Sequence, residues 1–153
     1  MVFKNNQIAE YVDRIPRLVS DHLEIHLIYL FGSAVSGHHH AESDLDVAIL
    51  IDNDFYQTMT SDLEYQAGLV VQLQRLFETD RVDLVLLNQA TPLLANQVVT
   101  TGTLLYCKDQ REKTMFIVRS KQRYLDTKPL RAIKRRYLYA RIDRGEFSQV
   151  TEP

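Results

Sequence analysis

No run of apolar residues in this chain comes near the ~18 that a membrane-spanning helix needs. The opening MVFKNNQIAE also lacks the charged-then-apolar layout of a secretory signal. The expected location is therefore the cytoplasm, with no membrane contact. Cysteine is nearly missing as well: Cys107 is the single one, so no internal disulfide can form. It stands in an apolar run with Leu104, Leu105 and Tyr106, and no helix start or basic cluster lies beside it to generate a reactive thiolate, so it is expected in the core. Internal repeats and low-complexity tracts are absent too, which excludes solenoids and disordered linkers.

What the chain does have is an ordinary globular composition. Its 153 residues, 45% hydrophobic and 25% charged, suffice to bury one core. The net charge of −2 conceals an asymmetry: residues 1–110 carry 6 Lys/Arg against 15 Asp/Glu, and residues 111–153 carry 12 against 5. A basic extension on an acidic body either contacts an acidic partner, a nucleotide or RNA, or folds back on its own body; both readings stand at this point. The expected organisation is a core over 1–110 and a basic helical extension over 111–153 packed on the same domain.

Ile8, Tyr11, Val12, Ile15, Leu18, Val19 and His22 recur at helical spacing, predicting a helix over 6–22, with Pro16 as a point of kinking or division. IHLIYLF, Ile25 to Phe31, reads as a strand stopped by Gly32, and Gly32 to Ser43 as a turn with room for one helical turn. Asp44 to Ile51 reads as a second strand. A helix over 61–78 follows, with Ser61 as N-cap and Glu64 three residues on. Arg81 to Leu87 reads as a third strand. Thr91 caps a short helix to Thr101 with Pro92 at its first position, closed by Gly102, and Thr103 to Cys107 reads as a fourth strand. Residues 110–145 read as helical, broken near Lys128-Pro129. Met115, Phe116 and the other Met and Phe residues are expected in the core, as is a buried face containing Ile133 and Tyr137. The alternation implies an α/β (α+β) fold with one small mixed sheet flanked by helices and a C-terminal helical tail.

The chemistry concentrates in two short segments. Gly32-Ser33 ends the first strand, and Asp44-Leu45-Asp46 begins the second. Residues i and i+2 of a strand share a face, so both carboxylates project to one side while Leu45 faces the other. Two ionised carboxylates that close together are costly unless a divalent cation lies between them. Gly32, without a side chain, lets phosphate approach the backbone, and Ser33 offers a hydroxyl and its own N–H. Asp83, on the third strand, completes the acidic set if that strand lies beside the second. Three such carboxylates suit two Mg²⁺ ions over a triphosphate.

These residues resemble the polymerase-beta-like nucleotidyltransferase superfamily, whose signature is a Gly-Ser pair, an Asp-x-Asp pair and a later Asp. The whole chain is similar to the minimal nucleotidyltransferase antitoxins of the MntA type from HEPN/MNT (HepT/MntA) pairs, through YLFGSAVSG, SDLDVAIL, VDLVLLNQATPLLANQVV, TGTLLYCKD and RYLDTKPLRAIKRR. The resemblance implies a polymerase-beta-like fold and a Mg²⁺-dependent enzyme that moves AMP from ATP onto a tyrosine of a HEPN-family RNase toxin, silencing it. It also implies a hetero-oligomer with that toxin and no direct nucleic-acid binding. Catalytic and metal roles fall to Asp44, Asp46 and Asp83, and triphosphate binding to Gly32 and Ser33. The alternatives are an antitoxin acting mainly by occlusion, or a small-molecule or RNA nucleotidyltransferase, for which some forty residues after the last strand leave little room as an acceptor domain.

One departure stands out. Members of the family often carry Gly-Ser-x-Ala-Arg-Gly, whereas this chain reads Gly32-Ser33-Ala34-Val35-Ser36-Gly37. The usual arginine is absent, and charge beside the phosphates must come from elsewhere. His38, His39 and His40 are near in sequence, and a protonated histidine would supply charge; consecutive histidines do not converge on one ion, so a solvated loop is expected there. Tyr137 and Tyr139, among Lys134, Arg135, Arg136 and Arg141, could alternatively stack on bases.

Overall fold

Strand β1 (Ile25–Phe31) is buried at every position but His26. A strand apolar on both faces must be covered on both, and that requirement organises the molecule. The structure, a computed structural model, describes residues 5–36 and 44–145. Around β1 the chain adds α1 (Asn5–Asp21), α2 (Ser33–Ser36), β2 (Leu45–Ile51), α3 (Asn53–Thr58), α4 (Asp62–Phe77), β3 (Val82–Leu86), α5 (Pro92–Thr101), β4 (Thr103–Cys107), α6 (Gln110–Asp126) and α7 (Lys128–Asp143). The strands form one mixed sheet in the order β3-β2-β1-β4. β1 runs antiparallel to both β2 and β4, and β2 runs parallel to β3.

Each face has its own core. On one, Tyr11, Ile15 and Leu18 of α1 and Leu69, Leu73 and Phe77 of α4 pack on Ile28, Leu30, Val47 and Ile49. On the other, Ala95 and Val98 of α5 and Phe116 of α6 cover Leu27, Tyr29, Phe31 and Ala48. A fully buried Leu or Ile contributes roughly 1.5–3 kcal/mol, so these two layers carry the fold. The short helices depend on their caps: Ser61 Oγ accepts from Glu64 N at 3.2 Å and Thr91 Oγ1 from Leu94 N at 3.3 Å.

α1 runs unbroken through Pro16. Val12, whose carbonyl loses its helical partner to the proline ring, is exposed, as is Pro16, so water can satisfy that oxygen. α3 was not foreseen: it buries nothing and rests on the Asp52 carboxylate, which accepts from Phe55 N at 2.8 Å.

Several burial expectations are corrected. Cys107, on edge strand β4, is half-buried rather than core, its thiol 3.3 Å from the Asp109 carbonyl. Met115 and Phe55 are exposed, at 44% and 38%. Among the described residues nothing covers the face expected to be buried on the last helix: Ile133 is 58% and Tyr137 65% exposed. α6 packs on α5, whereas α7 rests on α6 and buries none of its residues. No helix among the described residues is long and apolar enough to cross a membrane.

A polar network ties α1 to α4 and β1. Glu24 Oε1 accepts from Tyr65 Oη at 2.6 Å and lies 2.8 Å from His22 Nδ1, while His22 Nε2 lies 3.1 Å from Gln72 Oε1. Burial works against the Glu24 carboxylate, but hydrogen bonds from Tyr65, its own backbone and His22 outweigh it and hold its pKa below the usual range. The same burial, together with Glu24, pushes the Tyr65 hydroxyl far up, so it stays a neutral donor. Because Glu24 is depressed in the fold, its contribution to stability is present above its unfolded pKa and is lost as pH falls through the folded value. Tyr65→Phe is expected to cost about 1–2 kcal/mol in chemical denaturation at pH 7. Glu24→Gln should flatten the acid limb of the stability profile.

Candidate active site

Strand pairing sets Phe31, Asp46 and Asp83 in one row across β1, β2 and β3. Asp44 precedes Asp46 by two residues, and Leu45 between them is buried in the α1/α4 core. Val82 and Leu84, flanking Asp83, belong to that same core. Alternation therefore sends Asp44, Asp46 and Asp83 together to the opposite face, the one that α5 covers. The next row inward is Tyr29, Ala48 and Val85, packed beneath α5, so the carboxylates stand where this face emerges from cover. Asp44 and Asp83 are exposed and Asp46 is half-buried.

The electrostatics match the placement. Burial raises the Asp46 pKa, and repulsion from Asp83 and then Asp44 raises it further; a hydrogen bond from the Ser33 backbone N–H opposes them. Asp46 thus carries the repulsion of two neighbouring carboxylates, the condition a divalent cation relieves. No set of three His, Cys, Asp or Glu among the described residues is disposed to enclose an ion by itself. Mg²⁺ does not ask for one, since it is commonly held by one or two carboxylates with substrate phosphates and water completing the octahedron. The donors fit Mg²⁺ in that shared manner.

Gly32 shows why the turn needs glycine. Its φ is +70°, a left-handed conformation, and a Cβ built there would lie 2.0 Å from Asp46 Oδ2. The absent side chain makes room first for the Asp46 carboxylate. Ser33 follows with its N–H on that carboxylate, so the amide expected to face phosphate is engaged by the acid instead, leaving the hydroxyl. Sequence reasoning missed this arrangement, although the one signal for it, a glycine directly after an apolar strand, was in view. His38–His40 lie outside the described residues.

A fold with a mixed sheet, a glycine turn closing its first long strand and carboxylates in register on the next two defines a nucleotidyl-transfer scaffold. Residues 13–111 match the family described as Polymerase beta, Nucleotidyltransferase, and the chain belongs to that family. The protein adenylyltransferase MntA of Shewanella oneidensis is 34% identical over 113 residues, covering 73% of this chain and 76% of that protein. A crystal structure of a toxin-antitoxin with AMP-PNP aligns with TM-score 0.66 at 32% identity, over 83% of this chain and 98% of the other. An MNT antitoxin in complex with a tri-AMPylated Shewanella oneidensis HEPN toxin aligns with TM-score 0.63 at 28% identity, over 86% and 98%.

Proposed function

We propose that this protein is an antitoxin that transfers AMP from ATP to a tyrosine hydroxyl of a HEPN-family toxin. The register that sets Asp46 beside Asp83, two residues from Asp44 and against Gly32, is the observation that carries this reading. The AMPylated toxin bound to a similar antitoxin supports the acceptor.

In this reading Asp44, Asp46 and Asp83 would hold Mg²⁺ together with the triphosphate. When bound, Mg²⁺ lowers the pKa of the attacking hydroxyl and offsets charge on the departing pyrophosphate. The tyrosine oxygen attacks the α-phosphorus as the bond from that phosphorus to the bridging oxygen breaks, releasing pyrophosphate; Asp83 takes the tyrosine proton. Gly32 keeps the Asp46 carboxylate seated, the Ser33 N–H fixes its orientation, and the Ser33 hydroxyl faces the phosphates. Little else is required, because such transfers depend mainly on alignment and charge neutralisation.

The test is label transfer. ATP labelled at the α-phosphate should label a HEPN partner in the presence of Mg²⁺, ATP labelled at the γ-phosphate should not, and replacing the acceptor tyrosine by Phe should remove the signal. Absence of α-label on the partner contradicts the reading.

A second contribution, neutralisation by binding, is favoured by one observation. α7 exposes Leu130, Ile133, Tyr137, Leu138 and Ile142 among seven Lys/Arg counted through Arg144, and buries nothing. A lone 16-residue helix of this kind is marginal in water, so a partner surface is its natural complement. Were occlusion the whole mechanism, a variant unable to transfer AMP would still protect cells from the toxin.

A further inference from the structure

At the end of the sheet away from the carboxylates the chain forms a second cavity. Its volume is about 450 Å³, within the range of small-ligand sites. Ile51, which pairs with Ile25 at the start of β1, lines this cavity, whereas Asp46 pairs with Phe31 at the other end. Ile51 stands five residues along β2 from Asp46, roughly 17 Å at the usual strand rise, and none of the active-site residues lines the cavity. One wall is a single face of α6: Glu112, Met115, Phe116, Arg119, Ser120 and Arg123 recur at helical spacing along it. Leu50 and Leu87 add apolar surface, and Asp54 adds a carboxylate from α3.

Ser120 marks this wall as built for a ligand. Among the described residues it is the one buried polar side chain, 4% exposed. Hydroxyls elsewhere on these helices are satisfied locally: Thr101 donates to the Gln97 carbonyl and Thr114 to the Gln110 carbonyl, each at 2.9 Å. Ser120 Oγ makes no such bond and has no hydrogen-bond partner among the described residues. A buried hydroxyl left in that state is costly, and a group from outside the chain relieves it. Arg119 and Arg123, one turn apart beside it, likewise have no ion pair or side-chain hydrogen bond among the described residues. Glu112 lies seven residues before Arg119, about 10 Å along the helix, so the acid and the two bases occupy different parts of the wall.

We propose that this cavity binds a nucleoside monophosphate without a metal ion. Arg119, Arg123 and the Ser120 hydroxyl take the phosphate, since guanidinium groups present paired N–H donors that match its oxygens and supply the charge that a cation would otherwise bring. Leu50, Leu87 and Phe116 provide the apolar surface for the base. Glu112 and Asp54 accept from the ribose hydroxyls, a use to which carboxylates at nucleotide sites are commonly put. The assignment is independent of the nucleotidyl-transfer reading of the carboxylate site.

Equilibrium dialysis of labelled AMP against the full chain in EDTA tests it, because chelation leaves the carboxylate site without a cation to hold phosphate. Saturable binding is expected. Arg119→Gln and Arg123→Gln, both at exposed helix positions, should each weaken it about tenfold, and Ser120→Ala about fivefold. Arg111→Gln, on α6 but outside the cavity, should match wild type. Adenosine and inorganic phosphate should each compete at least about tenfold less well than AMP. Without ligand, Ser120→Ala should melt no lower than wild type, since the hydroxyl it removes has no partner in the fold. No saturable binding in EDTA, or binding that both arginine variants leave unchanged, overturns the proposal. Inorganic phosphate that competes as well as AMP overturns the nucleoside assignment, and Ser120→Ala that melts well below wild type overturns the role of Ser120.

Discussion

Replacing Asp44 and Asp46 together by Asn is expected to lower AMP transfer roughly 10³-fold or more while leaving the protein folded, because the substitution removes charge at nearly constant shape. The stability side of the same experiment is more diagnostic. Asp46 has its pKa raised in the fold by burial and by Asp83 and Asp44, so its ionised form is disfavoured there. For an acid raised in this way, stability falls as pH rises from the unfolded value through the folded one. Removing the charge therefore relieves repulsion, and without divalent cation the Asp46→Asn protein should melt at neutral pH no lower than wild type. Wild-type protein should gain Tm on adding Mg²⁺ with ATP, and the double variant should not. A double variant that melts well below wild type without Mg²⁺ would show that these carboxylates support the fold instead of straining it.

Gly32→Ala should be nearly as damaging, by a different route. The left-handed backbone costs an L residue roughly 1–2 kcal/mol. In addition, the new methyl would lie 2.0 Å from Asp46 Oδ2, so the carboxylate or the turn must shift. A displacement of about 1 Å at a reacting centre commonly costs around 10²-fold in rate, and that is the minimum loss expected in transfer. Loss of activity should accompany loss of stability here, in contrast to the Asn variants. An alanine variant with wild-type transfer and wild-type Tm would mean that Gly32 does not sit against Asp46 as described.

Much of this was legible in the sequence, for identifiable reasons. The strands announced themselves because β1 and β2 must be apolar on the faces they bury, and Ser61 and Thr91 marked helix starts through side chains that cap them. The acidic pair was readable because strand alternation is a local property. Asp83 required a tertiary fact, the adjacency of β3 to β2, which no local pattern encodes. The contact of Gly32 with Asp46 and the Ser33 N–H on that carboxylate depend on the register between β1 and β2, and only the folded chain shows them. Periodicity misled at the other end of the chain. Ile133 and Tyr137 are spaced as a buried face would be, but spacing says only that a helix has an apolar side and is silent on what covers it. Cys107 misled likewise, because an apolar run on an edge strand is covered less fully than one inside the sheet.

The site and its acceptor come together in one measurement: the intact mass of a cognate HEPN toxin produced with this protein, compared with the same toxin produced with the Asp44→Asn, Asp46→Asn variant. The account predicts one or more adenylyl additions, located on tyrosine, with the wild-type protein, and the unmodified mass with the variant. A toxin that is neutralised by the wild-type protein and yet keeps its unmodified mass would contradict it.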